Sequence, residues 1–484
     1  MTNSSKTINR HHLWMVPVTL GWIDFFAGKN CRKKLIESER IFVYNEGDNK
    51  TEQTFEFVNL RRFTDMIDYS KMPQQQILCI DMKSFYASCS AVMKGLDPLE
   101  CYLVVIGDKE REGSIVLAAS PKMKKEFGIK TGARKFDIPD DPRIHVVEPK
   151  MATYVRISME ILRVFHRYVP KEAIHAYSID ESFLKVDGAN KLWGDTETIA
   201  WKIKRDLERE FQLPSAVGIG PNMLMAKLCL DLEAKKCGIA RWTYGDVPKK
   251  LWPISRLRDM WGIGRRLEKK LNGMGIFTVG QLAHYELKEL EKKFGIMGNQ
   301  LYHHAWGIDL SELGAPLMDG QISFGKGQVL LRDYKEEEEI KSVVLEMCEE
   351  VARRARTHKK AGRTISFGVS YSEDELGGGF YRSRTIEHPT NRTMDIYRIC
   401  LELFHEHYEG KTVRKINIAL SNVVNDMEFQ LDLFDLDGWK KQELGYTVDK
   451  IRRRFGSDAL LRAVSYTAAG TARHRAKLVG GHKA

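Results

Sequence analysis

The stretch "AIHAYSIDESFLKVDG" (173–188) consists of two short apolar runs that meet at a pair of adjacent acids, Asp180 and Glu181. The length and residue types of each run predict two strands joined by a tight bend at the acids. Such a pair of carboxylates can be the exposed tip of a hairpin, or it can hold a cation. This stretch alone favours neither interpretation.

A third acid ends another predicted strand. The run "QILCID" (76–81) is apolar until Asp81, which is typical of a strand buried on both faces. Neighbouring strand ends in one sheet would bring Asp81 close to Asp180 and Glu181. Three crowded carboxylates raise one another's pKa unless a cation lies among them, and oxygen ligands suit Mg²⁺. Two such ions about 4 Å apart stabilise the attacking and leaving oxygens of phosphoryl transfer, so the acids predict a magnesium site for phosphate chemistry.

Two lysine clusters are candidates for contacts with phosphate, because lysine acts as a point charge toward a phosphate group. One lies in "SPKMKKEFGIKTG" (120–132) and the other in "AKLCLDLEAKK" (226–236). A solvated surface is the ordinary explanation of such clusters, and both explanations stay open. The lysines are Lys122, Lys124 and Lys125 in the first cluster and Lys227 and Lys235 in the second.

The composition of the 484-residue chain favours a polyanionic partner. The formal net charge is +11, although mild basicity alone is weak evidence for nucleic-acid binding. The eight cysteines form no C-x-x-C pair, so zinc and dithiol motifs of that type are absent from the sequence. The apolar segment "LWMVPVTLGWI" (13–23) contains Pro17, ends at Asp24 and is too short to span a bilayer. We therefore expect a cytoplasmic protein without a membrane segment.

Strand and helix patterns mix in two regions that a helical region separates. From about residue 76 to 240 strands and helices alternate, with an amphipathic helix predicted over "TETIAWKIKRDLEREF" (196–211). Residues 252–312 show short helical pieces with glycine turns. After a polar stretch at 314–323, the predicted order is β-α-β-β-α-β, which gives a sheet covered by two helices.

Several motifs follow one another along the chain. They are Asp81 with "SFYAS", then "FGIKTG", "YSIDES", "GIGPNMLMAK", "WGIGRRLEKKLNGMGIFTVGQLA" and "QLDLF". The same order is seen in the Y family of translesion DNA polymerases, and agreement of several motifs in order and spacing is far more specific than any single motif. The chain resembles that family from about Tyr69 to its end, and it looks most like the bacterial UmuC-like branch.

The resemblance implies an α+β multidomain chain shaped as a right-hand polymerase, with palm, fingers, a helix-hairpin-helix thumb and a βαββαβ little finger. An N-terminal extension of unknown role would precede these domains, and Met66 opens a segment, "MIDYSKMP", that resembles a usual family start. The expected boundaries are 1–68 for the extension, 69–85 and 151–242 for the palm, 86–150 for the fingers, 243–315 for the thumb, 316–324 for a linker, 325–425 for the little finger and 426–484 for a basic tail that binds a sliding clamp.

The resemblance also implies roles for residues at the reacting centre. The catalytic and metal-binding groups, which would hold two Mg²⁺ ions, are Asp81, Asp180, Glu181 and the backbone carbonyl of Met82. Tyr86 falls at the steric gate, the aromatic ring that excludes a ribose 2′-OH, and Phe85 is the next candidate. Taken alone, without the resemblance, these two aromatic residues are more simply explained as core.

The triphosphate-binding residues implied by the resemblance are Lys125, Lys122 and Lys235. Many members of the family have Tyr-x-x-Arg where this chain has Lys122-x-x-Lys125, which puts the role of Lys122 in doubt. The spacing before Lys235 is one residue longer than usual, so Lys236 is an alternative.

Contacts with DNA and with a clamp are implied by two further motifs. Gly262 and Gly264 would form a helix-hairpin-helix turn that presents backbone N–H groups to a DNA phosphate, and plain helix-loop-helix packing is the alternative. The pentapeptide "QLDLF" resembles a peptide that binds the bacterial sliding clamp. Its expected contact residues are Gln430, Leu431, Leu433 and Phe434.

The function implied by the resemblance is template-directed, error-prone DNA synthesis past damaged template bases, without proofreading. The partners would be primer-template DNA, dNTPs and a sliding clamp, and the protein would be a monomer. A catalytically silent, clamp-bound DNA-binding protein is the alternative, although the presence of all three acids and the gate aromatic disfavours it. A nucleotide cyclase, which also uses paired metal-binding acids, is disfavoured by the thumb-like and little-finger-like regions.

Overall fold

The computed structural model describes residues 40–44, 55–59, 67–314, 322–373, 377–426 and 438–483. The chain forms two compact units, residues 1–74 and residues 75–484. In the first unit, β1 (Arg40–Tyr44) pairs with β2 (Phe55–Asn59) in an antiparallel hairpin. The site residues that the structure describes all belong to the second unit. No helix in the described ranges is long and apolar enough to cross a membrane.

The second unit begins with a central strand and a small three-stranded sheet. The elements are β3 (Ile77–Met82), α1 (Phe85–Met93), β4 (Tyr102–Ile106), β5 (Val116–Ala119), α2 (Pro121–Glu126) and β6 (Ile144–Val147). Strand β4 lies in the middle of the small sheet, antiparallel to β5 and parallel to β6. Ser84 has φ 51° and ψ 45°, and this left-handed residue turns the chain from β3 directly into α1.

A five-stranded sheet of order β10-β9-β3-β8-β7 forms the second part. Its elements are α3 (Met151–Phe165), β7 (Ile174–Ala176), β8 (Glu181–Lys185), α4 (Asn190–Trp193), α5 (Thr196–Phe211), β9 (Ser215–Gly220), α6 (Met223–Cys229), a π-helical turn (Leu230–Ala234), α7 (Lys235–Cys237) and β10 (Ile239–Arg241). The predicted helix over 196–211 and the predicted pair of strands around Asp180 and Glu181 are both confirmed.

The two faces of this sheet are covered differently. Helices α3 and α5 pack on one face around Leu78, Ile80 and Leu184, which are all buried. On the other face α6 lies directly on β9. The two elements are so close that a Cβ at Gly218 would come within 2.3 Å of the Ala226 carbonyl oxygen. Only glycine permits this close approach, which brings α6 and the segment after it over the face that carries the acids.

Four short helices follow, as the glycine-punctuated pattern predicted for residues 252–312. They are α8 (Arg265–Asn272), α9 (Val279–Ala283), α10 (Leu287–Phe294) and α11 (Ile296–Ala305). Their core contains Leu271, Leu282 and Leu290, all without exposed surface, and Trp306, whose indole N–H donates to the Ala283 carbonyl oxygen at 2.7 Å.

The predicted β-α-β-β-α-β order is confirmed in the next domain. Its elements are β11 (Phe324–Tyr334), α12 (Glu337–Thr357), β12 (Lys360–Tyr371), β13 (Gly379–Thr390), α13 (Thr393–His407) and β14 (Val413–Asn425). The sheet is antiparallel with the order β11-β14-β12-β13, and both helices bury apolar residues against it. The expected linker at 316–324 lies mostly outside the described residues, and Phe324 already belongs to β11.

The C-terminal segment differs from the expected basic tail. Residues 438–483 form α14 (Gly438–Phe455), α15 (Ala472–Arg475) and a hairpin of β15 (Leu478–Val479) with β16 (His482–Lys483). Arg356 of α12 makes a buried ion pair with Asp449 of α14 at 2.7 Å. Glu346 of α12, 4% exposed, accepts hydrogen bonds from the backbone amides of Thr471 and Ala472. The segment therefore packs on the βαββαβ domain.

The physical reason for this difference is the chemistry of the contact. Charged and hydroxyl groups make many of the contacts between the C-terminal segment and the βαββαβ domain. The sequence after residue 426 is therefore polar although the segment is packed. Glu346 and Arg356 are buried charges, and buried charges are tolerated when they are paired and hydrogen-bonded. Their partners lie about a hundred residues away in the chain, so no local pattern shows the pairing.

Candidate active site

Asp81, Asp180 and Glu181 lie at the same end of the five-stranded sheet. Asp81 of β3 lies directly opposite Glu181 of β8 in the antiparallel register. The backbone amide of Met82 donates to the carbonyl oxygen of Asp180 at 3.0 Å, which fixes the bend beside β3. Burial raises the pKa of Asp81 to about 6; Lys235 opposes this shift, while the charges of Asp180 and Glu181 add to it. The strand ends thus concentrate negative charge in a poorly hydrated place.

Two lysines from the helix over the sheet face these acids. The Nζ of Lys227 lies 2.8 Å from the Glu181 carboxylate and 3.0 Å from that of Asp231. The Nζ of Lys235 lies 2.8 Å from Asp231 and 3.6 Å from Asp81. Burial lowers the pKa of Lys227, but the hydrogen bond to Glu181 and the charge of Asp231 outweigh it and raise the pKa overall. Both lysines are therefore held as cations beside the acids.

The π-helical turn at Leu230–Ala234 explains how the longer spacing before Lys235 is accommodated. In an α-helix, the side chains of residues four apart differ in direction by about 40° around the helix axis, and those of residues eight apart by about 80°. A π-turn places more residues in one turn and removes much of that rotation, so Lys227, Asp231 and Lys235 share one side. Lys236, the alternative to Lys235, is exposed and makes no ion pair in the described part of the chain.

The three lysines of α2 make different contacts. Lys122 pairs with Glu100 at 3.0 Å, and Lys125 is exposed, so neither contacts the acids. Lys124 instead donates to Ser84 Oγ at 2.8 Å. Burial lowers the pKa of Lys124, and the charge of Asp81 acts in the opposite direction. Lys124 belongs to the lysine cluster identified in the sequence, where no local pattern distinguished it from Lys122 and Lys125. The roles of Lys122 and Lys125 stay predictions.

The two gate candidates occupy different environments. The ring of Tyr86 stacks on Tyr154, with 4.8 Å between the centroids and 14° between the planes. Partial burial raises the pKa of Tyr86, and the charge of Asp180 raises it further. Phe85 is 3% exposed and lies within the core covered by α3 and α5, whereas Tyr86 is only partly buried and packs against that core. This placement favours Tyr86 over Phe85 as the gate.

The donor set fits a hard divalent cation, although the acids are not arranged around one. In the described ranges, no group of three or more His, Cys, Asp or Glu side chains is positioned as a metal cluster. Lys227 and Lys235 balance the negative charge instead. Carboxylate oxygens concentrated at strand ends and compensated by cations are the type of donor that Mg²⁺ prefers.

The structure describes the glycine turn at Gly262 and Gly264 but not the clamp motif. Gly262 has φ +94°, which requires glycine, and Gly264 has φ −92° and directly precedes α8. Both glycines are exposed, and a Cβ at either would meet nothing within 4 Å. Their backbone is therefore open to a ligand. The predicted clamp-binding residues, Gln430, Leu431, Leu433 and Phe434, lie outside the described residues.

Comparison with known proteins identifies the class. The impB/mucB/samB family matches residues 80–231, its C-terminal domain matches residues 321–433, and a thumb domain described for DNA polymerase iota matches residues 258–309. UvrX of Bacillus subtilis strain 168, named for UV-damage repair, is 62% identical over 420 residues, 86% of this chain and 100% of the relative.

Two further matches agree with this. DNA polymerase IV 2 of Bacillus subtilis strain 168 is 39% identical over 417 residues, 85% of this chain and 99% of the relative. The solved Y-family DNA polymerase chimera Dbh-Dpo4(243-245)-Dbh has a TM-score of 0.57 at 21% identity, covering 72% of this chain and 99% of its own, and shows the shared fold. These matches show that the chain is a DNA-directed DNA polymerase. Within that class, the chain belongs to the Y family, the impB/mucB/samB family.

Proposed function

We propose that the chain synthesises DNA past damaged template bases, by error-prone, template-directed nucleotidyl transfer without proofreading. One observation carries the proposal: three acids at the strand ends are faced by lysines from two helices and by one aromatic ring. The acids could bind metal ions, the lysines a triphosphate, and the aromatic ring the sugar of the same nucleotide. The name of the relative UvrX, which refers to UV damage, supports repair as the setting.

The acids would hold two Mg²⁺ ions through Asp81, Asp180, Glu181 and the backbone carbonyl of Met82. When bound, such ions stabilise the attacking and the leaving oxygens of the transfer. The protein's own contribution is to fix the carboxylates on paired strands. Because Asp81 and Glu181 lie opposite each other in register, neither can shift without breaking β3–β8 hydrogen bonds.

The lysines would bind the triphosphate of the incoming nucleotide. Lys235 contacts Asp81 from the segment over the sheet, and Lys124 of α2 donates to Ser84, just after β3. An ammonium group gives a strong contact with a phosphate oxygen without demanding a fixed orientation. Lys125 and Lys122 remain further candidates on the same short helix.

Tyr86 would act by excluding volume. Its ring is held flat by Tyr154, whose hydroxyl hydrogen-bonds with Ser90 Oγ at 2.6 Å. A ring that cannot rotate away leaves no room for a 2′-OH on the sugar that contacts it. The resulting preference for dNTPs is steric and needs no hydrogen bond from the phenol.

The exposed glycine turn at Gly262 and Gly264 would bind a DNA phosphate through backbone amides, independently of sequence. The segment 427–437, which contains the clamp motif, joins Asp426 to α14. Asp426 accepts a hydrogen bond from Tyr446 of α14, so a clamp-binding peptide here would be attached to the same domain at both ends. Once a clamp on the DNA held such a peptide, the short connection would set the effective concentration of the polymerase at the primer end.

Primer extension on undamaged and abasic templates, with and without a sliding clamp, tests the proposal. We expect the intact chain to extend both templates and Asp180→Asn to lose at least about a thousandfold in rate, because about 4 kcal/mol of transition-state stabilisation is removed. Asp187→Asn is the matched control, since Asp187 accepts from the Gln76 amide at the opposite end of the same strand pair. It should extend primers normally.

A chain that binds primer-template DNA but extends neither template would instead support the catalytically silent DNA-binding protein. Extension of undamaged templates alone would overturn the lesion-bypass part of the proposal. Normal turnover by Asp180→Asn would overturn the two-metal assignment.

A further inference from the structure

An aromatic cluster joins the thumb to the hairpin that carries two of the acids. The ring of Trp261 lies 5.9 Å from that of Tyr177 in an edge-to-face arrangement and 6.3 Å from that of Phe183. Tyr177 and Phe183 are themselves 5.8 Å apart with their planes at 84°. We call these three residues the aromatic bridge. Edge-to-face contacts of this kind have a preferred geometry and therefore fix distance and orientation.

One end of the bridge is built into the acid-bearing hairpin. Phe183 is two residues after Glu181 on β8, so the two side chains lie on the same face of the sheet. Tyr177 precedes the bend, and its backbone amide donates to the Glu181 carbonyl oxygen at 3.0 Å. Trp261 thus contacts the residues on both sides of the bend that contains Asp180.

The other end of the bridge is built into the glycine turn. Trp261 directly precedes Gly262, and its two apolar neighbours Met260 and Ile263 are 1% and 5% exposed. The Ile263 amide donates to the Met260 carbonyl oxygen at 3.1 Å, which closes a turn around Trp261. Since both neighbours are anchored in the thumb core, the indole cannot shift without moving the turn.

We propose that Trp261 is a positioning residue that sets the spacing between the glycine turn of the thumb and the acids of the palm. The inference rests on the proposed function, in which the turn holds a DNA phosphate while the acids act on the primer end. Because both places contact the same rigid duplex, an error in their spacing displaces the primer end from the acids. A displacement of about 1 Å can cost about a hundredfold in rate.

Trp261→Ala, Trp261→Phe and Tyr177→Ala test the inference when DNA affinity and the rate of single nucleotide incorporation are measured separately. For Trp261→Ala we expect the incorporation rate to fall about 10- to 100-fold, with less than about a threefold change in the dissociation constant for primer-template DNA. Trp261→Phe should recover most of the rate. Tyr177→Ala should also be slow, and the Trp261→Ala/Tyr177→Ala double variant should be no slower than the slower single variant, because both remove the same contact.

Trp201→Ala is the matched control, since the Trp201 ring on α5 is 58% exposed and makes no aromatic contact in the described ranges. It should leave the incorporation rate unchanged. If Trp261→Ala fails to fold by circular dichroism, Tyr177→Ala decides alone, because Tyr177 is 47% exposed and tolerates truncation.

Two results would overturn the inference. One is an unchanged incorporation rate in the folded bridge variants; the other is a rate loss matched by an equal loss of DNA affinity, which would make Trp261 a simple DNA-binding residue. Both results bear on the inference only if the unaltered chain extends primers. An unaltered chain that binds primer-template but does not extend it would overturn the proposed function, and this inference with it.

Discussion

The Nζ of Lys227 lies 2.8 Å from the Glu181 carboxylate, and each side chain is less than a tenth exposed. A buried pair of this kind holds two charges that neither residue could carry alone in that place. Asp81 and Lys235 form a second ion pair in the same cluster, with 3.6 Å between the charged groups and with more exposed side chains. The protein's own lysines therefore balance the charge of the proposed catalytic acids, and the proposed metal ions would share that task.

Removal of Lys227 should destabilise the protein most when no divalent cation is present. We expect Lys227→Met to lower the free energy of unfolding by about 3–5 kcal/mol, because the Glu181 charge is left buried and unpaired. Mg²⁺ should reduce this loss, since a bound cation can take the place of the ammonium. Urea unfolding with EDTA and with Mg²⁺ measures both effects.

Lys250→Met serves as the control for that experiment. Lys250 pairs with Glu233 at 2.9 Å, but its side chain is 33% exposed and that of Glu233 is 42% exposed. Such a pair is worth less than about 1 kcal/mol, and its loss should not respond to Mg²⁺. Equal losses in the two variants would show that Lys227 contributes nothing specific to the acid cluster.

Asp231 should control nucleotide affinity without touching the acids itself. It bridges Lys227 and Lys235, so Asp231→Asn frees Lys235 to move toward Asp81 and away from an incoming triphosphate. We expect the KM for dNTP to rise about tenfold with a smaller change in kcat, since a charge-assisted hydrogen bond contributes roughly 1.5–3 kcal/mol. Steady-state primer extension over a range of dNTP concentrations measures the two constants.

The matched control for Asp231 is Glu233→Gln, because Glu233 lies on the same π-helical turn and faces Lys250 and Trp242. It should leave the KM unchanged. A fall in kcat alone for Asp231→Asn would contradict the assignment of Lys235 to the triphosphate.

Tyr86 should set sugar selectivity through its ring. We expect Tyr86→Ala to incorporate ribonucleotides at least about tenfold more efficiently relative to dNTPs while retaining DNA synthesis, and Tyr86→Phe to keep the selectivity because the ring remains. Phe85→Ala should behave differently: Phe85 is in the core, so its truncation should cost about 3–5 kcal/mol of stability. Competition between matched dNTP and rNTP in single-nucleotide extension gives the ratio. Unchanged selectivity in Tyr86→Ala would place the gate elsewhere.

The clamp motif should matter only when a clamp is present. We expect Leu433→Ala with Phe434→Ala to keep distributive primer extension and to lose stimulation by a sliding clamp, because tethering replaces a bimolecular search. Extension on a long primed template, with and without clamp, separates the two activities. Loss of clamp-independent activity in the double variant would assign the segment to the domain core instead.

Truncation before residue 438 is not an equivalent experiment. It would remove the partners of Glu346 and Arg356 and uncover the face of α12 on which the C-terminal segment packs. A truncated chain would therefore lose hydrogen bonds and packing for a reason unrelated to the clamp.

The sequence by itself determined the elements and the acids. Alternation, apolar runs and helical spacing are local properties, so the strands around Asp180 and Glu181, the helix at 196–211 and the βαββαβ order could all be predicted. Asp81 could be placed beside Glu181 because strand ends in one sheet meet at a common edge. The motif order then gave the family, which the matches over residues 80–231 and 321–433 confirm.

Only the tertiary structure decided which charges and rings meet. Lys227 reaches Glu181 because Gly218 lets α6 lie on the sheet, and Lys227, Asp231 and Lys235 meet along a segment that contains a π-helical turn. Trp261 meets Tyr177 across more than eighty residues of chain, and a polar C-terminal segment folds because Glu346 accepts its amides. Contacts of this kind depend on separations of a few ångströms between distant segments. The periodicity of the sequence predicts which face of an element a side chain lies on. It does not predict which distant side chain it contacts, because that depends on how the segments pack.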